Sequence, residues 1–188
     1  MKELRHYTEA FSHLHTATKK GFRAPHKAVL LLAVIDLVEE GAITSPNIEL
    51  SDRLIRQFDK LWLHFLGNSA IFIPNITQPF FHMQYESFWR LVEHAESHMA
   101  MVAEPLPYVE GRKRKMDLPQ GGYSVKAMRR AFAYAEMDNQ LFLLLQNADA
   151  RAMLRVVLIN GYLTNLPTRT MPDLSSLILA IPFIAFVA

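Results

Sequence analysis

The chain has 188 residues, 51% of them hydrophobic, which is enough for one domain with a real core. Cysteine is absent, which excludes disulfides and thiolate metal sites, and a formal net charge of +2 excludes a globally basic nucleic-acid binder. The basic residues are clustered, so local charge is more informative than the total.

The opening MKELRHYTEAFSHLH has no apolar h-region, so no secretory leader is expected, and the absence of cysteine fits a reducing, cytoplasmic setting. Apolar spacing through Tyr7, Phe11 and Leu14 predicts a helix over 7–18. The next helix starts at Pro25, whose missing N–H is not needed at a first helical position, and ends at Gly41. It is apolar on nearly every face except at Asp36, so it is central. Residues 42–50 read as an extended link with a turn at Ser45-Pro46-Asn47. Ser51 caps a third helix striped by Leu54, Phe58, Leu61 and Phe65.

FIPNITQPFFHMQYESFWRLV (72–92) reads as a small β-hairpin turning at Tyr85-Glu86. The prolines, glycines and basic run of residues 104–123 mark a loop, and Ser124 caps a helix through Tyr134. Residues 139–145 and 148–162 complete an all-helical C-terminal half. The expected fold is therefore mainly α with a small β-hairpin (α+β), in the order of a winged-helix-like DNA-binding domain. Residues 1–171 form that single domain. Residues 172–188 form an apolar tail, which at LSSLILAIPFIAFVA is too short for a membrane helix and is interrupted by Pro182. Trp62 and Trp89 are assigned to the core.

Lys19, Lys20, Arg23, His26 and Lys27 surround the start of the second helix. The free N–H groups and positive dipole end of a first turn attract phosphate, whereas cations there oppose the dipole unless an anion joins them. A solvated first turn is the plain alternative. Pro25 and Ala28, at i and i+3, share a face and make a small apolar spot. A phosphate oxygen pressed onto it would lose water without gaining a hydrogen bond, at a cost on the order of 1–3 kcal/mol. A sulfur in its place would suffer less, being larger, more polarizable and less well hydrated. Proline and alanine are also ordinary first-turn residues, so the residues alone do not decide.

PHKAVLLLAVIDLVEEG (25–41) resembles the (P)HKPxLLLALxDLxxxG helix at the front of many type IV HNH-type restriction endonucleases. The Pro-x-x-Ala spacing is similar to the sulfur-contacting motif of their sulfur-binding domains. QPFFHMQYESFWRL (78–91) resembles the PFxxLxxxxFWxL segment that follows in this group, and residues 133–163 resemble its helical closing segment. The resemblance implies binding of double-stranded DNA carrying a phosphorothioate, in bacterial restriction-modification and defence. It implies an apolar sulfur cavity made by Ala24, Pro25 and Ala28. Ala24 stands where the family often has an aromatic residue or histidine, and Phe22 is the residue to compensate. Arg5, His6 and Tyr7 are candidates for the family's N-terminal lid.

Asn75, Gln78, His82 and Gln84 are candidate base contacts, since Gln and Asn read adenine edges, and Arg53 joins them from the start of the third helix. Polar turn residues around a core-facing Phe80 are the alternative. Arg112, Lys113, Arg114 and Lys115 form either a solvated loop or a phosphate clamp, which Lys126, Arg129 and Arg130 would extend. His94 and His98 have i, i+4 spacing but lack the HExxH order, so no metal and no cofactor is expected. No HNH constellation is visible, so the chain reads as a recognition module rather than an enzyme. A nuclease domain or protein is its further partner, and no membrane is involved. The alternatives are a DNA binder without sulfur preference, a reader of another modification, and a protein-interaction module using the tail. A weak metal-dependent nuclease using His94 and His98 is the last.

Overall fold

The computed structural model describes residues 2–67, 69, 71–94, 115–164 and 166. The tail at 172–188, the residues Arg112, Lys113 and Arg114, and His98 lie outside them. The chain is α+β. Its elements are α1 (Lys2–Ser12), β1 (Thr18–Lys19), β2 (Phe22–Arg23), α2 (His26–Glu39), β3 (Asn47–Ile48) and α3 (Asp52–Leu66). There follow α4 (Thr77–His82), a single 3-10 turn at Met83–Tyr85, β4 (Trp89–Glu93), α5 (Val125–Ala131), β5 (Phe132–Met137), α6 (Asn139–Leu144) and α7 (Ala148–Tyr162).

The apolar run of α2 places it at the centre. Every residue of the helix is buried except His26, Asp36 and Glu39. A helix that is apolar all round must be covered all round, and α3, α4 and α7 pack against it. Its one polar interruption becomes a tie. Asp36 accepts from Gln57 of α3 at 2.7 Å and from Arg155 of α7 at 2.7 Å. Both neighbours run antiparallel to α2, for Arg53 at the start of α3 meets Glu40, and Arg151 near the start of α7 meets Glu39. The far ends of α3 and α7 therefore return to the N-terminus of α2. There Tyr162 closes the molecule: its hydroxyl accepts from Leu14 N–H and donates to the Phe11 carbonyl. The first helix ends at Ser12, earlier than expected, and the residues after it run toward a strand.

The capping of α3 follows from its sequence. The Ser51 hydroxyl accepts from Leu54 N–H at 3.2 Å, and Gly67 ends the helix at φ +51°. Leu54, Phe58, Trp62 and Leu66 are its buried stripe, and Trp62 and Trp89 are both in the core as expected.

The strands correct the sequence reading. Residues 72–92 do not form a hairpin: Tyr85 ends a 3-10 turn, and the following strand β4 finds its partner in β5. The antiparallel sheet has the order β3-β5-β4, with Arg90 opposite Glu136 and Ile48 opposite Ala135. The helix expected through Tyr134 stops at Ala131, so the C-terminal half is not all helical. A two-residue hairpin, β1–β2, stands where only a break in pattern was expected.

Candidate functional site

The β1–β2 hairpin shapes one wall of the site. Lys20 and Gly21 both have positive φ, +52° and +81°, as the tightest hairpin turns require. The hairpin closes at its base where Ala24 N–H donates to the Ala17 carbonyl at 2.8 Å. Ala17 and Ala24, joined by that bond, both line the cavity. Across from them lies α4, where Pro79 occupies the first turn and Asn75 holds the entry to it: the Asn75 Oδ1 accepts from Thr77 N–H at 3.0 Å and from the Thr77 hydroxyl at 2.6 Å. Between these walls is a cavity of about 270 Å³ lined by His15, Thr16, Ala17, Ala24, His26, Lys27, Gln78, Pro79, His82 and Tyr85.

The N-terminus of α2 stands at its edge. Pro25 is the capping residue and offers no side-chain acceptor, and the first helical bond is Val29 N–H to the Pro25 carbonyl. The preceding N–H groups carry the positive end of the helix dipole.

Three rings and one ammonium group give the wall its chemistry. His26 packs on Trp62, with ring centroids 4.6 Å apart, and its Nε2 donates to the Ile73 carbonyl at 2.9 Å. Burial lowers its pKa below the ordinary histidine value. His82 stacks on Tyr85 and hydrogen-bonds the Tyr123 hydroxyl at 2.7 Å, and burial lowers its pKa too, with Lys27 adding to the effect. Lys27 is only 6% exposed, and its Nζ donates to Glu86 Oε1 at 2.5 Å. Burial pulls the Lys27 pKa down, Glu86 opposes this, and Lys115 lowers it further. Lys115 lies with its ammonium over the Tyr85 ring, 3.8 Å from the centroid.

Of the expected sulfur seat, only Ala24 lines the cavity. Ala28 is fully buried and Pro25 is buried, because the covered α2 turns its Pro-x-x-Ala edge inward. Phe22 faces another cleft, with Gly161 and Tyr162 of α7. His26 and Lys27 are at the site, but the other expected phosphate contacts are not. Arg23 is a structural clamp: its guanidinium donates to the Leu14 carbonyl and the Tyr162 hydroxyl and lies over the Tyr162 ring. Lys19 donates to the Ile71 carbonyl, and Lys20 occupies the hairpin turn.

Gln78 and His82 line the cavity, whereas the Asn75 side-chain carbonyl is taken by Thr77. Gln84 is spent on both backbone groups of Met116, donating at 3.1 Å and accepting at 2.6 Å. Arg53 pairs with Glu40 at the opposite end of α2, some 20 Å away along a helix rising about 1.5 Å per residue. The lid candidates also lie elsewhere. Tyr7 is buried against Phe88, where burial and Asp138 raise its pKa, His6 borders a cleft with Glu9 and His13, and neither they nor Arg5 lines the cavity. Arg129 and Arg130 bond the backbone carbonyls of Leu50 and Gln120. His94 bonds the Arg129 carbonyl, and among the described residues no cluster of three metal-binding side chains occurs.

The sequence reading missed Ala17, Pro79, Tyr85, His15 and Glu86. Only Glu86 left a signal: a lone acid inside the apolar run MQYESFW must be exposed or paired. Among the described residues no helix is long and apolar enough to cross a membrane. No protein-family model matches the chain and no curated protein does, so the site itself carries the functional reading.

Proposed function

We propose that this chain is a DNA-recognition domain, winged-helix-like in its use of helices, that seats the sulfur of a phosphorothioate linkage in double-stranded DNA. The observation that carries the reading is the pairing of an apolar floor with a positive edge. Ala17, Ala24 and Pro79 offer the cavity no hydrogen-bonding side chain, while Lys27 and the start of α2 supply positive charge beside them. A phosphate oxygen on that floor loses hydration worth about 1–3 kcal/mol without replacement. Sulfur loses less, and the one remaining non-bridging oxygen is left to meet the helix terminus. Gln78 and His82, which line the same cavity, would meet an adjacent base. Cleavage would belong to a nuclease domain or protein acting with this one in bacterial restriction, in the cytoplasm where such DNA is met.

A second reading rests on size: about 270 Å³ exceeds one sulfur atom several-fold, and the His82–Tyr85 stack resembles a platform for a base. On that reading the domain recognises a modified base and ignores the backbone. The two separate on one variant. Ala24→Glu puts a carboxylate on the sulfur seat and is expected to lower affinity for an Rp-phosphorothioate duplex about tenfold or more, a loss of ~1.4 kcal/mol or above. It should lower affinity for the plain duplex much less. Equal losses for both duplexes would contradict the sulfur seat.

A further inference from the structure

The Lys27 charge beside the cavity belongs to a buried ion pair. Glu86 has one oxygen on the Lys27 ammonium and accepts the backbone N–H of His15 at 3.0 Å, while its other oxygen meets His15 Nδ1 at 3.2 Å. The Glu86 side chain is 5% exposed and that of Lys27 7%. Glu86 itself does not line the cavity, whereas Lys27 and His15 do. The acid therefore stands behind two wall residues from different segments and fixes both.

We infer that Glu86 is the positioning residue of an anion site, holding the Lys27 ammonium charged and aimed at the cavity so that it meets a phosphodiester or phosphorothioate monoanion. The inference rests on the cavity being a ligand site, and it names the group that supplies the charge. An ammonium in an apolar wall sheds its proton unless an acid faces it. The other groups around it do not help: Lys115 repels it, and His26 and His82 are held toward their neutral forms by burial. Tyr85 lines the cavity with Lys27 and carries the Lys115 ammonium over its ring. One Glu86 oxygen holds a single ammonium proton, which leaves donors for a bound anion.

The test follows anion binding by the phosphorus NMR signal of the probe in wild type, in Glu86→Gln, and in the double variant Lys27→Met with Glu86→Gln, and follows the Lys27 Cε signal in the two proteins that keep the lysine. The probe is dimethyl phosphorothioate, whose single charge is constant over the range used. In wild type the Lys27 signal is expected to respond to the anion equally from about pH 6 to about pH 9, below the ordinary lysine range. In Glu86→Gln, Lys27 should lose its proton within that range, and anion affinity should fall about tenfold or more as pH rises. The double variant removes both charges, so it should fold where the single variant fails, and it should bind no anion at any pH.

A wild-type Lys27 that ignores the anion would overturn the inference. So would a Glu86→Gln protein with affinity independent of pH, or a double variant that binds as wild type does. The same samples are titrated with plain and phosphorothioate duplexes. Loss of duplex binding in wild type with an intact anion response would remove the DNA reading alone. Sulfur-selective binding that Glu86→Gln leaves unchanged at every pH would remove this inference alone.

Discussion

At the scale of single residues, the charges near the start of α2 divide into those that build the wall and those that face the cavity. Arg23 belongs to the first group. Arg23→Met should lower stability by about 1.5 kcal/mol, the lower end for charged hydrogen bonds because the site is partly solvated. It should leave the salt dependence of DNA binding unchanged. A salt slope smaller by about one phosphate would return Arg23 to the backbone contacts. Lys27 belongs to the second group, and Glu86→Gln gives it opposed pH signatures. Removing the acid leaves a buried ammonium unpaired, at about 3–5 kcal/mol. Its folded pKa then lies well below the unfolded value, so the unfolded chain binds more protons between the two, and stability rises with pH. The deficit in thermal unfolding is therefore largest near neutrality and below, and narrows in base, while anion binding weakens in base. Parallel trends in both would contradict the assignment.

At the scale of elements, the hairpin β1–β2 decides whether the floor exists. Gly21 sits at φ +81°, and Gly21→Val should cost about 1–2 kcal/mol of backbone strain. Because that turn sets the Ala17–Ala24 pairing, the variant should also lose phosphorothioate affinity, measured beside its melting temperature. Ser51→Ala serves as the contrast. Loss of this cap should cost about 1 kcal/mol and leave affinity alone. These elements also show what the sequence makes legible. The positions of α2 and α3 are read from apolar periodicity, from Pro25 and Gly41, and from Ser51, all of them local signals. β4 is not legible locally because its partner lies elsewhere: Arg90 pairs with Glu136, 46 residues further on, and no turn between 72 and 92 announces that. FAYAEM alternates as a strand does, but Ser124 and an alanine-rich start pulled the reading toward helix. The site was half legible for the same reason. His26, Lys27 and Ala24 are neighbours in sequence, whereas Glu86 and Pro79 arrive through tertiary packing. Ala28 had the right spacing, but spacing does not say which way a fully covered helix faces.

At the scale of the whole molecule, stability and recognition both depend on pH through the cavity. His26 and His82 have folded pKa values below the ordinary one. As pH falls below about 6.5 the unfolded chain takes up protons before these rings do, so stability drops in acid. His26→Asn with His82→Asn should flatten that part of the profile, followed by urea unfolding at stepped pH. An unchanged acid limb would place the titrating groups elsewhere. DNA binding should be moderate and salt-dependent, because among the described residues near the site Lys27 is paired with Glu86 and Lys19 and Arg23 bond backbone carbonyls, and specificity must come from the apolar floor. The most direct measurement is a paired titration at fixed salt, by fluorescence anisotropy, of the wild-type protein with two short duplexes differing in one Rp phosphorothioate. The account predicts about tenfold or tighter binding to the sulfur duplex, since the oxygen's lost hydration on that floor is worth ~1.4 kcal/mol or more. Equal affinity for the two duplexes would contradict the sulfur seat, and binding to neither would contradict the DNA reading.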